Sequence, residues 1–330
     1  MKTISVIIPS YNCGRYIREA VESVLAQSIR PDEIIVADDG STDRTAQVLS
    51  PYAGRIKYVY QENRGEPAAR NLGLRHAGGE LIAWLDADDL WLPDKLEMQL
   101  AYFAQHPDCA LVYTDGTMFD EDGITAPSIR EHFRLTFPSG DIYPQLFRET
   151  LFGSGSVVFR KSCLEKVGWF DEKLLIGSDY DMWLRIARRF EVGYVEKPLL
   201  MYRQHATMST RRLRSLTPAG EPWEVAVLKK SLQLYPEVVN ELGQAAIDDR
   251  LSKAYANYAH GRFQEADYSC AHQLFRGALR HSRRNLRYWL FYMITCLSPS
   301  QVSAGRKVYR KLRAAAALGG APRSRAQAGS

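Results

Sequence analysis

Short apolar, strand-forming runs alternate with helix-like segments through the first quarter of the chain. ISVIIPS, REAVESVLAQ, DEIIVADDGS, DRTAQVL, IKYVYQ, PAARNLGLRHA and ELIAWLD follow one another from Ile4 to Asp86. That rhythm predicts βαβ units, in which parallel strands form a sheet covered by helices on both faces. Ligands of such sheets bind beyond the carboxyl ends of the strands. The predicted strands end in polar clusters: Pro9-Ser10-Tyr11-Asn12, Asp38-Asp39-Gly40-Ser41 and Asp86-Ala87-Asp88-Asp89.

The last cluster crowds three carboxylates at the end of an apolar strand, just before Leu90 and Trp91. As a solvated turn capping a helix that begins near Pro93, it needs no ligand. As a calcium loop it lacks the glycine of D-x-D-x-D-G and runs into Trp91 and Pro93. As a site for Mg²⁺ or Mn²⁺ it fits, because residues i and i+2 of an extended segment face one side and offer hard oxygen ligands. Water and a substrate phosphate would complete the shell.

Groups suited to a nucleotide stand at the other strand ends. Tyr11 offers a ring for base stacking, worth ~1–3 kcal/mol; otherwise this is a helix-entry turn capped by Asn12 or Gly14. Asp39 is a candidate acceptor for an imide N–H, with Ser41 or Thr42 capping the next helix and Asp43 in its first turn. Arg70 would reach a phosphate or base edge, or lie solvated early in a helix.

In order and spacing, ISVIIPSYN, VADDGSTD, NRGEPAARNLGL, WLDADD and GSDYDMWLR resemble the family 2 glycosyltransferases over roughly residues 1–210. The resemblance implies a GT-A fold, a Rossmann-like α/β sheet that binds nucleotide sugars. It also implies inverting transfer from a nucleotide sugar, usually a UDP-sugar, with Mn²⁺ or Mg²⁺ bridging the diphosphate. Pro9, Tyr11 and Asp39 match the positions that hold the nucleoside, and Arg70 matches the arginine near the nucleotide. Asp86 and Asp88 match the DxD pair, the first leaning toward ribose or sugar and the second binding metal. Asp179 matches the aspartate of a Glu-Asp pair, the general base, with Ser178 standing in place of the glutamate and Asp181 as the fallback base. Alternatively, Asp179 and Asp181 are N-terminal charges of an amphipathic helix whose Met182, Trp183, Leu184 and Ile186 face the core. MYRQHATMS resembles the segment closing the catalytic domain and implies that His205 lies near diphosphate and metal; otherwise it is an ordinary surface or core histidine.

With 45% hydrophobic and 25% charged residues among 330, the chain is of the ordinary globular class. Five scattered cysteines without CxxC spacing suggest neither disulfide framework nor zinc site, and a cytoplasmic setting. MKTISVIIPSYN lacks the regions of a signal peptide, and the longest apolar run, YWLFYMITCL, is half of the ~20 residues a membrane span needs. Charge is uneven. After Asp267 there are twelve basic residues and no acidic one, leaving the preceding residues with 31 basic against 38 acidic side chains.

The expected organisation is a catalytic domain over 1–211, a helical extension over 212–300 packed on it, and a basic low-complexity tail over 301–330. Residues Tyr255 to Leu279 resemble a single tetratricopeptide unit. Arginines before the aromatic-rich run HSRRNLRYWLFYMITCLSPS suit a helix on an anionic membrane surface, the inner face of the membrane; the other reading is a buried helix with a basic end.

Other classes fit less well. A nucleotidylyltransferase would carry a glycine-rich phosphate loop where this chain has PSYNCGRY. A D-x-D-G-T phosphatase would place its nucleophile in the first strand, where this chain has Pro9. A membrane-binding protein accounts for the tail alone, and no nucleic-acid partner is expected. A non-catalytic sugar-nucleotide binder stays open because of Ser178. The expected acceptor is a saccharide or lipid-linked molecule of cell-surface polysaccharide synthesis, met by residues around Thr114–Phe152, and the sequence names neither it nor the donor sugar.

Overall fold

The computed structural model describes residues 2–205, 216–297 and 301. Two compact units emerge, the second made of Pro218–Pro222 and the residues from Ala245 onward, the first of the rest. The boundary expected near residue 211 and the tail from residue 302 lie outside the described residues.

The first unit is built on one mixed sheet of β1 (Ile4–Ser10), β2 (Glu33–Asp38), β3 (Lys57–Tyr60), β4 (Leu81–Trp84), β5 (Leu90–Trp91), β6 (Cys109–Asp120), β7 (Gly123–Ala126), β8 (Val158–Arg160) and β9 (Glu191–Arg203). Strand order is β3-β2-β1-β4-β8-β6-β9-β5, with β7 hairpinned onto β6. Its helices are α1 (Ile17–Leu25), α2 (Thr45–Leu49), α3 (Glu66–His76), α4 (Lys95–Gln105), α5 (Ile129–Phe133), α6 (Tyr143–Arg148), α7 (Leu164–Val167), α8 (Ser178–Ala187), α9 (Trp223–Leu234) and α10 (Val238–Leu242).

Every residue of β1 and β4 is buried, as their unbroken apolar runs require of strands covered on both faces. β1 pairs in parallel with β2 and β4, and β2 with β3, as the alternating pattern predicts. Beyond β4 the sheet departs from that expectation. β8 runs antiparallel to both β4 and β6, while β6 and β9 pair in parallel. These three strands are far apart in sequence and carry no local βαβ signature. Helix α3 lies close on β1 because Gly73 has no side chain: a Cβ there would come within 2.3 Å of Ile7 Cγ2.

Helices α9 and α10 belong to the first unit. Val225, Val227 and Leu228 are fully buried, Lys230 pairs with Asp171 and Asp181, and Arg188 pairs with Glu237 and Glu241. The second unit is helical, with α11 (Gln244–Gln264), α12 (Tyr268–His281) and α13 (Leu286–Ile294). Asp267 caps α12 by accepting from Cys270 N–H, and Asn285 caps α13 by accepting from the N–H groups of Arg287 and Tyr288. The Phe291 ring packs against His260, Phe263 and Phe275. No described helix is long and apolar enough to cross a membrane.

Candidate active site

Strand direction gathers the chemistry. β1, β2, β4 and β9 all point their carboxyl ends to one rim, and β8, being antiparallel, starts there. The rim therefore collects Tyr11 and Asn12, Asp38 and Asp39, the Asp86–Asp89 turn, the Ser154–Ser156 turn that leads into β8, and Arg203 at the end of β9 with His205 just beyond it.

The part of the rim formed by the ends of β1 and β2 is firmly built. Pro9 is buried within β1, and Tyr11 just beyond it is 44% exposed. Asn12 adopts a left-handed φ of 54°, which its short polar side chain tolerates. Its Oδ1 accepts from Thr42 N–H (2.8 Å) and Asp43 N–H (3.2 Å), so Asn12 ties two loops together rather than capping a helix. Neither Ser41 nor Thr42 caps α2, contrary to expectation. Asp43, one residue before the N-cap position, accepts from the Thr45 N–H and hydroxyl and from Gly14 N–H. Asp38 is consumed by Ser41 N–H and the Tyr58 hydroxyl. Asp39, 2% exposed, accepts from Gln61 Nε2 and Arg64 N–H on Oδ1 and from Gly65 N–H on Oδ2, which leaves part of Oδ2 for a further donor.

Arg70 is not solvated. It is 3% exposed, one turn into α3, with Glu66 at 2.5 Å and Asp86 at 3.6 Å. Its Nη2 also donates to Ser154 Oγ (3.2 Å), and Ser154 Oγ donates to Asp179 Oδ2 (3.0 Å). A continuous chain thus joins Asp86 through Arg70 and Ser154 to Asp179. Arg70 Nε is buried without a hydrogen-bond partner among the described residues. Burial pushes the Asp86 carboxyl up to about 7, opposed by Arg70 and reinforced by the nearby Glu66, Asp88 and Asp179 charges, although a third of the side chain is open to solvent.

Asp88 lies 2.9 Å from His205 Nε2 through Oδ2. The strand end holds that geometry: Arg203 N–H donates to Asp89, and Arg203 Nε donates to the Asp88 carbonyl. His205 packs its ring on Tyr16. Buried Asp89 has its carboxyl raised well above the usual range, by burial first and by Asp88 and Asp86 next. Among the described residues no three His, Cys, Asp or Glu side chains converge on one point. Asp88 and His205 are hydrogen-bonded to each other, and by donor type, a carboxylate oxygen beside an imidazole nitrogen, they are groups that a divalent ion such as Mn²⁺ would take.

Asp179 is the second residue of α8, which follows Gly177, whose φ of +76° suits glycine. It is half-buried and accepts from Ser154 and from its own helix's Tyr180 N–H. Asp181, 2% exposed, is bound to Arg185 Nε and Nη2 and to Lys230 Nζ. Ser178, in place of the family glutamate, is buried.

Glu66, Ser154 and Arg203 were not singled out from the sequence. Glu66 and Arg70 carried a readable signal, an acid and a base four apart on a helix. The others depend on contacts between distant segments.

The model of Glycosyl transferase family 2 matches residues 5–168. An uncharacterized glycosyltransferase of Rickettsia typhi is 32% identical over 208 residues, 63% of this chain and 65% of that one, while a longer relative from Rickettsia conorii is matched over only 35% of its length. The Bacillus subtilis protein named "Putative teichuronic acid biosynthesis glycosyltransferase TuaG" is 31% identical over 71% of this chain and 88% of its own. Among solved structures, a Pyrobaculum calidifontis mannosyltransferase in complex with GDP-Man and Mn²⁺ superposes with a TM-score of 0.58 at 20% identity, covering 92% of this chain and 86% of that one. S. aureus TarS 1-349 in complex with UDP-GlcNAc gives 0.54 at 16% identity, covering 92% of each. With the motifs carried on one rim of the same sheet, the chain belongs to glycosyltransferase family 2 and has the GT-A fold.

Proposed function

We propose that this protein is an inverting, divalent-metal-dependent glycosyltransferase. In this reading it moves a hexosyl or N-acetylhexosaminyl group from a nucleotide-diphosphate donor, a UDP-sugar, to a saccharide or lipid-linked acceptor of cell-surface polysaccharide synthesis, in the cytoplasm. The observation that carries the reading is the juxtaposition, on one rim, of the Asp88–His205 pair and the Asp86–Arg70–Ser154–Asp179 chain. Nucleotide sugars in two structural neighbours and the name of the Bacillus relative support donor class and pathway.

Tyr11 stacks the base and Asp39 accepts from its imide. Asp88 and His205 hold Mn²⁺ or Mg²⁺, which when bound supplies Lewis-acid relief of charge on the departing diphosphate. Asp86 and Arg70 orient the ribose or sugar. Asp179 takes the proton of the acceptor hydroxyl as that oxygen bonds to the anomeric carbon from the face opposite the phosphate. The carbon–phosphate-oxygen bond breaks in the same step, and its electron pair leaves with the nucleotide. A single in-line displacement inverts the anomeric centre.

The test is a screen of UDP-, GDP- and dTDP-sugars for nucleotide release with Mn²⁺, with Mg²⁺ and with excess chelator, using the wild type and Asp88→Asn. Release from a UDP-sugar that both chelation and Asp88→Asn abolish is expected. Full release in chelator sinks the metal assignment; metal-dependent donor binding with no transfer to any acceptor identifies a sugar-nucleotide binder instead.

A further inference from the structure

We propose that α13 is a membrane-surface helix that seats the protein on an anionic lipid bilayer. Tyr288 and Thr295 face inward and Phe291 packs on α11 and α12, so this side of α13 is committed to its own unit. Its other side is apolar as well. Leu286 (82% exposed), Trp289 (43%), Leu290 (58%) and Met293 (58%), with Leu297 (48%) just beyond, stand open to solvent. Their spacing of three and four places all five on one stripe of the helix. Apolar residues scattered singly on a surface need no explanation, but a continuous apolar stripe marks an interaction face.

Charge selects the occupant. Arg283, Arg284 and Arg287 beside the stripe are exposed, as are Arg276 and Arg280 on α12, and no acidic residue follows Asp267. A second copy docking face to face would oppose these arginines without compensation. An anionic bilayer neutralises them while receiving the leucines, methionine and tryptophan at the headgroup boundary, where tryptophan is favoured. Nine helical residues are too few to span hydrocarbon, so the helix lies in the membrane plane. Trp289 Nε1 donates to the Arg283 carbonyl, which keeps that ring at the arginine end of the stripe.

The test is flotation of the full chain with phosphatidylcholine vesicles, with and without about 30% phosphatidylglycerol. Binding to the anionic vesicles alone is expected, and it weakens with salt. Leu290→Glu with Met293→Glu should lower binding at least about tenfold, and Arg283→Ser, Arg284→Ser and Arg287→Ser about fivefold each. Melting temperature and nucleotide release should hold in all variants, because none of these residues belongs to the catalytic rim. The proposal is overturned by equal binding to both vesicle types, by vesicle binding that the stripe variants leave unchanged, or by a dimer in light scattering that the glutamates dissociate. Since vesicle binding is read without donor or acceptor, it fails or succeeds separately from the assigned chemistry.

Discussion

Asp179 and Asp181 stand two residues apart at the start of one helix, yet their neighbours give them different chemistry. Asp181 is saturated by Arg185 and Lys230 and out of solvent, whereas Asp179 accepts from one hydroxyl and one backbone N–H and faces the rim. Asp179→Asn should therefore lower transfer by ~10²–10⁴-fold with donor affinity unchanged. Asp181→Asn should instead cost stability, of order 3 kcal/mol, because two cations lose a buried partner. Melting curves, transfer rates and donor affinities of both variants decide it, and a stable but inactive Asp181→Asn would move the base. Ser154 is a positioning residue for Asp179. Ser154→Ala should reduce kcat about tenfold or more with little change in donor KM, and Ser154→Thr should restore it; a rise in donor KM at constant kcat would make Ser154 a donor contact instead. At this scale the sequence exposed the acids and hid their partners. Both aspartates and the Ser178 replacement were visible, but Lys230 comes from a segment read only as part of a helical extension, and Ser154 lies in a segment with no recognisable pattern.

Elements were legible where they are local. The alternation from Ile4 to Asp86 predicted β1 to β4 and the helices between them, because βαβ units pair neighbours in sequence. β6, β8 and β9 pair across long separations, and the stretch Thr114–Phe152, which mixes the end of β6, β7 and the short helices α5 and α6 with loops, offered no period to follow. Two helices carry testable packing features. Gly73 lets α3 rest on Ile7, so Gly73→Ala should destabilise the protein by about 1–3 kcal/mol through overpacking, read as a lower denaturation midpoint. Lys95 opens α4 fully buried, with Nζ donating to Gln99 Oε1 and 4.0 Å from the centre of the Trp91 ring. Burial holds its pKa well below the usual lysine value. The unfolded chain then binds a proton that the folded chain lacks, between the depressed folded pKa and ~10.4. Stability should rise with pH through that window and fall as pH drops toward the folded pKa. Lys95→Met should flatten the slope and raise the melting temperature; an equally steep slope in that variant would locate the titration elsewhere.

Over the whole molecule, the sheet separates chemistry from scaffolding. The proposed site residues sit at or just beyond strand ends on one rim or in turns entering there, except Arg70 and its partner Glu66 on α3 and Asp179 on α8, which those helices bring in. The opposite rim holds structural bonds, such as Asp32 accepting from Ile4 N–H and Glu33 accepting from the Ser5 hydroxyl and Gly78 N–H. The loop between α4 and β6 is exposed at His106, Pro107 and Asp108 on that far side. A short peptide inserted between Pro107 and Asp108 should leave donor affinity within about twofold of wild type, since loop lengthening costs little entropy; a large loss in a calorimetric titration would show that the two rims are mechanically linked. The same separation makes the enzyme a natural candidate for oriented immobilisation. Tethered to a bead or sensor chip through that loop, every molecule would present its catalytic rim to the medium, so that a library of acceptors could be passed over one surface.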